Sequence, residues 1–545
     1  MTALPQWPKP PREQGPWGGG PPVAPPGNTA LPPLPGPGGV SRTSAGATNP
    51  WANAESVPVQ PRYAPRPPFP GLQAGVLPRI DRAPRWIIAV SAVIVVALLG
   101  GTAYLVTNTR SRYPSKWDPR VAPIAGWVAR TRNLTFEHPV EVQFLSAAEY
   151  KKASGGGGGD KVQSAAEKKQ LDDTAAQFRA LGLLEGEVDL GAASDVLSDS
   201  ATLAFYSART KIVYVRGTKL TPGLRVTLAH ELTHVLQDQN VDLQRLDSLP
   251  DSQAPVLRAL AEGDAGRIED RYIDEVLTAA ERTALDDENA NSVSEADKKL
   301  IAKVPSVMTT LFGAPYRFGP ELITYLEEDG GDAAIDAALK DPPTEAVLFN
   351  PLIMGTPAAE AAKLDVKAPS GTEKIEDGEF GPTAWYLLLA SRMAPQTALA
   401  ATDGLGPDGY VVYREKKKVC VRATAEGDTP GDLMQLGVAL KAWVAKSAPG
   451  SATFEIVGSE AQLQACDPGT DAKASGTVTQ GLLSLPIGRT QIYNEVVKSG
   501  ATPKQATCVG QGVVDDLTLA QLNSQTFLAS PLGQQALATI GTRCR

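Results

Sequence analysis

The stretch LAHELTHVLQDQ, residues 228–239, holds two of the three histidines in a chain of 545 residues. His230 and His234 stand four apart, and Glu231 follows the first directly. In an α-helix, positions i and i+4 share one face, one turn apart. Both imidazoles can therefore address a single ion. Two neutral imidazoles suit zinc and leave room for a third protein ligand and a water. Glu231 lies about 100° around the helix from His230. That is too far to join the chelate, and near enough to take a proton from a water activated at the ion.

The flanking sequence predicts a helix that follows a strand. LTPGLRVTLAHELTHVLQDQ opens with Thr221 as a cap and Pro222 at the first helical position. KIVYVRG, residues 211–217, reads as a strand, and as the edge strand beside the cleft to which an extended peptide would add. Val226, Leu228, Ala229, Val235 and Leu236 make the other helix faces apolar, so the helix should be buried. Buried imidazoles and a buried carboxylate without an ion would need other partners, at a cost of kilocalories. The competing reading is a core helix with structural histidines.

The third ligand must come from elsewhere. Ala261-Glu262-Gly263-Asp264-Ala265-Gly266, in a helix expected over 254–285, is the best candidate. Its small residues would let a second helix approach the first closely. Glu262 and Asp264 are about 200° apart on a helix, so only one can face inward. Glu262 follows apolar Leu260 and Ala261 and is preferred; the bland alternative is a surface carboxylate in an acidic helix. His138, in Glu-His-Pro at a strand start, reads as structural. A hydrolase of this kind also needs an oxyanion donor. Tyr316 is the candidate catalytic donor, with Arg317 and Tyr272 behind it.

His-Glu-Leu-Thr-His followed by Ala-Glu-Gly-Asp-Ala resembles the gluzincin class of zinc metallopeptidases. The resemblance implies that His230, His234 and Glu262 hold one Zn2+ ion and that Glu231 is the general base. The pattern departs in spacing, with twenty-seven residues between His234 and Glu262, and Gly266 stands where an acidic residue would follow four after Glu262. The carboxylate that orients a histidine is then sought among Asp264, Asp238 and Glu269. Stretches such as LAFYSARTKIVYV, PYRFGPELITYLEEDGG and DPPTEAVLFNP, across roughly residues 138–465, resemble a little-characterised bacterial, actinobacterial-type group of HExxH proteins.

The length allows roughly three or four domains. Nearly half of the 46 prolines fall before residue 85, and such a head cannot bury a core. Residues 1–85 are expected to be disordered and cytoplasmic, with PPLP at 32–35 available to a partner as a polyproline helix. The head carries a net +5 and the whole chain −8, so the remainder is near −13, which argues against nucleic-acid binding. WIIAVSAVIVVALLGGTAYLVT, residues 86–107, is uncharged and long enough to cross a ~30 Å hydrocarbon core. It is expected to be a single-pass membrane anchor. Arginines and lysines on its two sides balance, but Cys420, Cys466, Cys508 and Cys544 all lie after it. An even cysteine count in one compartment predicts two disulfides and an extracytoplasmic C-terminal domain. Cys420–Cys466 and Cys508–Cys544 straddle compact segments and are the preferred pairs among three possible connectivities.

The expected architecture is α+β. A stalk, 108–135, leads to a zincin-like metallopeptidase domain, 136–405, with a mixed sheet, an active-site helix and a helical second lobe. A small α/β unit, 406–470, and a disulfide-linked helical C-terminal module, 471–545, follow. The five glycines of KKASGGGGGDK lack a following Gly-Lys-Ser/Thr and read as a linker. Absence of G-x-S-x-G, and of a histidine to serve the cysteines, argues against serine and cysteine hydrolases. The function expected is zinc-dependent hydrolysis of a protein or peptide substrate at the membrane. The alternatives are a non-catalytic envelope scaffold or peptide-binding protein on the same fold, and a hydrolase of a non-peptide envelope substrate.

Overall fold

Two sheets organise the chain, and the helix containing His230 and His234 packs beside the smaller one. The computed structural model describes residues 113–154, 164–199, 203–289, 303–359, 363–473, 478–522 and 524–545. The smaller sheet contains β1 (Glu141–Leu145), β2 (Ala204–Ser207) and β3 (Ile212–Arg216) in the order β1-β3-β2. β1 runs parallel to β3, and β2 antiparallel to it. β3 is therefore the central strand. The expectation that 211–217 forms the edge beside the cleft is corrected: the edge strand next to the long helix is β2. Val213 and Val215 are fully buried, which fits a strand paired on both sides.

The main helices of this lobe are α1 (Ala122–Arg132), α2 (Ala165–Ala180), α3 (Pro222–Val241), α4 (Ala254–Val276) and α5 (Ser306–Lys340). α3 begins as its sequence requires. The Thr221 hydroxyl accepts from the Leu224 N–H, and Pro222 occupies the first turn, where it removes no helical hydrogen bond. Glu288 reinforces that end by accepting from the Thr221 hydroxyl and the Gly223 N–H. From Gly223 to Asp238 almost every residue of α3 is buried. Leu232, Val235 and Leu236 are wholly inaccessible, and burial of each contributes about 1.5–3 kcal/mol.

α4 crosses α5 at two glycines. A Cβ on Gly263 would come within 2.4 Å of the Gly319 carbonyl carbon, and one on Gly319 within 2.2 Å of the Ala259 oxygen. Gly263 thus serves the approach to α5, while the Ala261 carbonyl meets Gln237 of α3. α5 bends at Gly331, whose φ of 61° and ψ of −150° are open to glycine. The bend turns Asp332 and Asp336 toward Arg132 of α1.

The larger sheet is antiparallel throughout, in the order β4-β5-β6-β8-β7. Its strands are β4 (Glu373–Gly378), β5 (Leu405–Glu415), β6 (Lys418–Gly427), β7 (Ala452–Val457) and β8 (Glu460–Cys466). α6 (Gly381–Ala390) and α7 (Pro430–Ala445) accompany it. Lys416 and Lys417 form the exposed turn of the β5–β6 hairpin. Cys420 and Cys466 lie directly opposite on β6 and β8 and are bonded. The C-terminal helices α8 (Ser484–Lys498), α9 (Pro503–Asp516) and α10 (Pro531–Arg543) follow, with Cys508 bonded to Cys544. Closing loops with separations of 46 and 36 residues restricts the unfolded chain by ~4 kcal/mol each on a chain-entropy basis. Arg179–Asp467 and Arg414–Asp173 tie α2 to the larger sheet, and Gln491 and Asn494 of α8 bond Glu321 of α5.

The fold class is α+β, with a mixed and an antiparallel sheet. The single-pass anchor and the localisation built on it are corrected: among the described residues no helix is long and apolar enough to cross a membrane. The apolar segment 86–107 and the proline-rich head lie outside the described residues.

Candidate metal centre

α3 and α4 bring three donor atoms together. His230 Nε2 and His234 Nε2 are 3.0 Å apart, and each lies 3.4 Å from Glu262 Oε2. All three side chains are buried. A tetrahedral ion held at about 2.0 Å by each donor would space them about 3.3 Å apart. The observed triangle matches that spacing.

The hydrogen-bond pattern fixes the tautomers. His230 Nδ1 lies 3.2 Å from Glu269 Oε2, and His234 Nδ1 lies 2.9 Å from Gln237 Oε1. Both neighbours are acceptors, so both Nδ1 atoms carry the proton in the neutral rings. The Nε2 lone pairs then face one another across 3.0 Å, an arrangement that calls for a cation between them. Glu262 Oε2, buried and without a hydrogen-bond partner, points at the same place. Two imidazoles and one carboxylate form the donor set of zinc hydrolase centres. The residues present could hold a metal ion.

Electrostatics agree. Burial would push the His230 imidazolium down, but Glu262 and Glu269 overcome it and hold its pKa at about 10. Burial would raise Glu262, yet the positive charge and hydrogen bonding of the two imidazoles hold it at about 2. Without an ion, the cluster retains a proton in its place.

Glu231 adjoins the cluster from the β2 side. Its Oε2 accepts the Tyr206 N–H at 2.8 Å, while Oε1 is buried and unpartnered. Burial pushes this carboxyl up to about 8, against the lowering effect of His230. Tyr316, half-buried on α5, lies beside Glu262. Burial, then the charges of Glu262 and Glu231, raise its phenol far above the usual range, so it remains a donor.

Of the three carboxylates expected to orient a histidine, Glu269 does so directly. Asp264 acts through a residue that the sequence reading missed. Gln237 Nε2 donates to Ala261 O at 3.1 Å and to Asp264 Oδ2 at 2.9 Å, which turns its Oε1 toward His234. Asp264 in turn accepts from Arg132 Nε at 2.9 Å and Arg267 Nη2 at 3.0 Å. Burial opposes its ionisation, and these two guanidiniums hold it below the usual carboxylate range. Asp238 is not brought to the centre. It lies one turn beyond His234 and instead accepts from Tyr206 Oη, Lys211 Nζ and Leu243 N. Arg317 bonds Ser484 of the C-terminal module, and Tyr272 packs edge-on against Trp127. His138 stacks on Tyr113 and bonds Gln239, away from the cluster. Gln237 stands three residues after His234, the spacing at which a helix brings side chains together; that signal was available. Arg132 gave none, since it meets Asp264 across 132 positions.

No protein-family model, curated protein or solved structure matches this chain.

Proposed function

We propose that the protein is a zinc-dependent metallopeptidase on a zincin-like arrangement of mixed sheet, active-site helix α3 and a helical second lobe beginning with α4 and α5. The observation that carries this reading is the buried triangle of His230, His234 and Glu262, with an unpartnered carboxylate oxygen and two converging lone pairs. His230, His234 and Glu262 would hold the ion. When bound, it would supply Lewis acidity, which lowers the pKa of a water and polarises a carbonyl. Glu231 receives the proton on its free Oε1 and passes it to the leaving amine; a carboxyl near neutrality can do both. The Tyr316 hydroxyl donates to the developing oxyanion. Glu269 and Gln237 hold the imidazoles in the tautomer that leaves Nε2 free.

A non-catalytic peptide-binding protein is favoured by one specific observation. His234 and Glu231 are wholly buried, and Glu231 is tethered to the backbone of β2. An ion there would then only join α3 to α4. Elemental analysis and peptide hydrolysis separate the readings. The parent chain should hold one zinc per molecule, and His230→Ala or Glu262→Ala should lose it. Glu231→Gln should keep the metal and lower kcat by at least a hundredfold. A zinc-loaded parent that cleaves no member of a broad peptide library overturns the peptidase reading.

A further inference from the structure

Arg258 stands one turn before Glu262 on α4 and so shares its face. It is half-buried, at the rim of the cluster. Glu262, Tyr316 and, from the short turn after α3, Asp247 lie near enough to act on its charge. Among the described residues, neither Glu262 nor Tyr316 forms an ion pair or hydrogen bond with it. Arg132 and Arg267 are matched with Asp264 and Arg489 with Asp403, while buried Arg392 is met by the Ser447 hydroxyl and the Trp443 ring. Glu262 aims its free oxygen at the two imidazoles, and an ion there would take up its charge. Arg258 then retains a positive charge, planar and five-donor, in a partly dry place beside the reacting centre. Such a charge is costly to leave unmatched, and the group that matches a guanidinium best is a carboxylate.

We propose that the Arg258 guanidinium is a subsite that grips a substrate carboxylate next to the scissile peptide bond. That carboxylate is either the free C-terminus of the peptide or an aspartate or glutamate side chain. The assignment rests on the metallopeptidase reading for its position, and it names the substrate class of that site.

The test uses the full, zinc-loaded chain and N-acetylated hexapeptide pools in three forms: free C-terminus, amidated C-terminus, and amidated with one glutamate scanned through every position. The parent should prefer one acidic form to the neutral amide. A free-terminus preference identifies terminal carboxylates, and a position-dependent glutamate preference identifies side chains. Arg258→Gln should retain its zinc and lose about thirty-fold or more in kcat/KM on the preferred acidic form, with little change on the amide. Arg258→Lys should recover part of the preference. Equal losses on acidic and neutral peptides, or an undiminished acidic preference in Arg258→Gln, overturn the proposal. If the parent cleaves nothing, calorimetric binding of the same pools decides. An acidic preference present in the parent and absent in Arg258→Gln upholds the subsite while the peptidase reading falls. No acidic preference in binding rejects both.

Discussion

Two of the groups of buried carboxylates among the described residues differ sharply in their surroundings. In the centre formed by α3 and α4, Glu262 is held down at about 2 and Asp264 is also depressed, because imidazoles and guanidiniums share their burial. Beside the larger sheet, Glu345 and Asp408 are buried near Glu379 with no such cation. There burial pushes Glu345 up to about 8 and Asp408 up to about 7, although Asp408 accepts from Phe380 N, Gly381 N and Trp385 Nε1. Burial alone makes a carboxyl keep its proton. Burial with organised positive charge makes it a carboxylate ready for a cation. The first group stays ionised, and the second keeps its protons.

The sharpest way to break this contrast is to remove the cation from the first group. Arg132 is wholly buried and serves Asp264, Asp332 and Asp336 together. Arg132→Ala should destabilise the fold by about 3–5 kcal/mol, read by urea denaturation of the zinc-loaded protein. A loss under 1 kcal/mol would mean that Asp264 does not depend on it. A smaller effect is expected at the link between the charge network and the centre. Gln237→Ala leaves Asp264 and Arg132 paired but frees the His234 ring. Zinc affinity should fall ten- to a hundredfold by competition with a chelating dye, with a modest change in stability. An unchanged affinity would show that His234 is oriented without Gln237.

The smallest effect belongs to the second group. A carboxyl whose folded pKa is raised contributes stability that is complete below its unfolded pKa of about 4. That contribution is lost as pH rises through the folded values, about 7 for Asp408 and about 8 for Glu345. Glu345→Gln cannot ionise, so its Tm should decline less between pH 5 and pH 9 than that of the parent. Parallel Tm profiles for the two proteins would contradict the raised pKa of Glu345.

The legible part of the molecule was the part written locally. Thr221 and Pro222 mark the start of α3, the four-residue spacing of His230 and His234 fixes their shared face, and Glu262 stands on the apolar side of α4. Cysteine order also gave both disulfides. What escaped the reading depends on pairings distant in the chain. KIVYVRG is apolar enough for an interior strand, yet only the arrival of β1 in parallel makes β3 central and leaves β2 at the edge. β4, EKIEDG, is too polar to announce itself and is a strand because β5 supplies its partner. Asp238 follows His234 by one turn on the same helix, but Tyr206 and Lys211 take its carboxylate. Arg132 looks like an ordinary basic residue at a helix end until Asp264 and the bend at Gly331 enclose it.

The contact between Gly263 and Gly319 gives the candidate centre its scale. Glu262 adjoins one glycine and Tyr316 precedes the other by a single turn, so the gap between carboxylate and phenol depends on how closely two backbones touch. Even the smallest side chain at either position would wedge the helices apart and carry the phenol away from the carboxylate. The dimensions of the centre are thus set as much by two missing methyl groups as by the groups that would perform the chemistry.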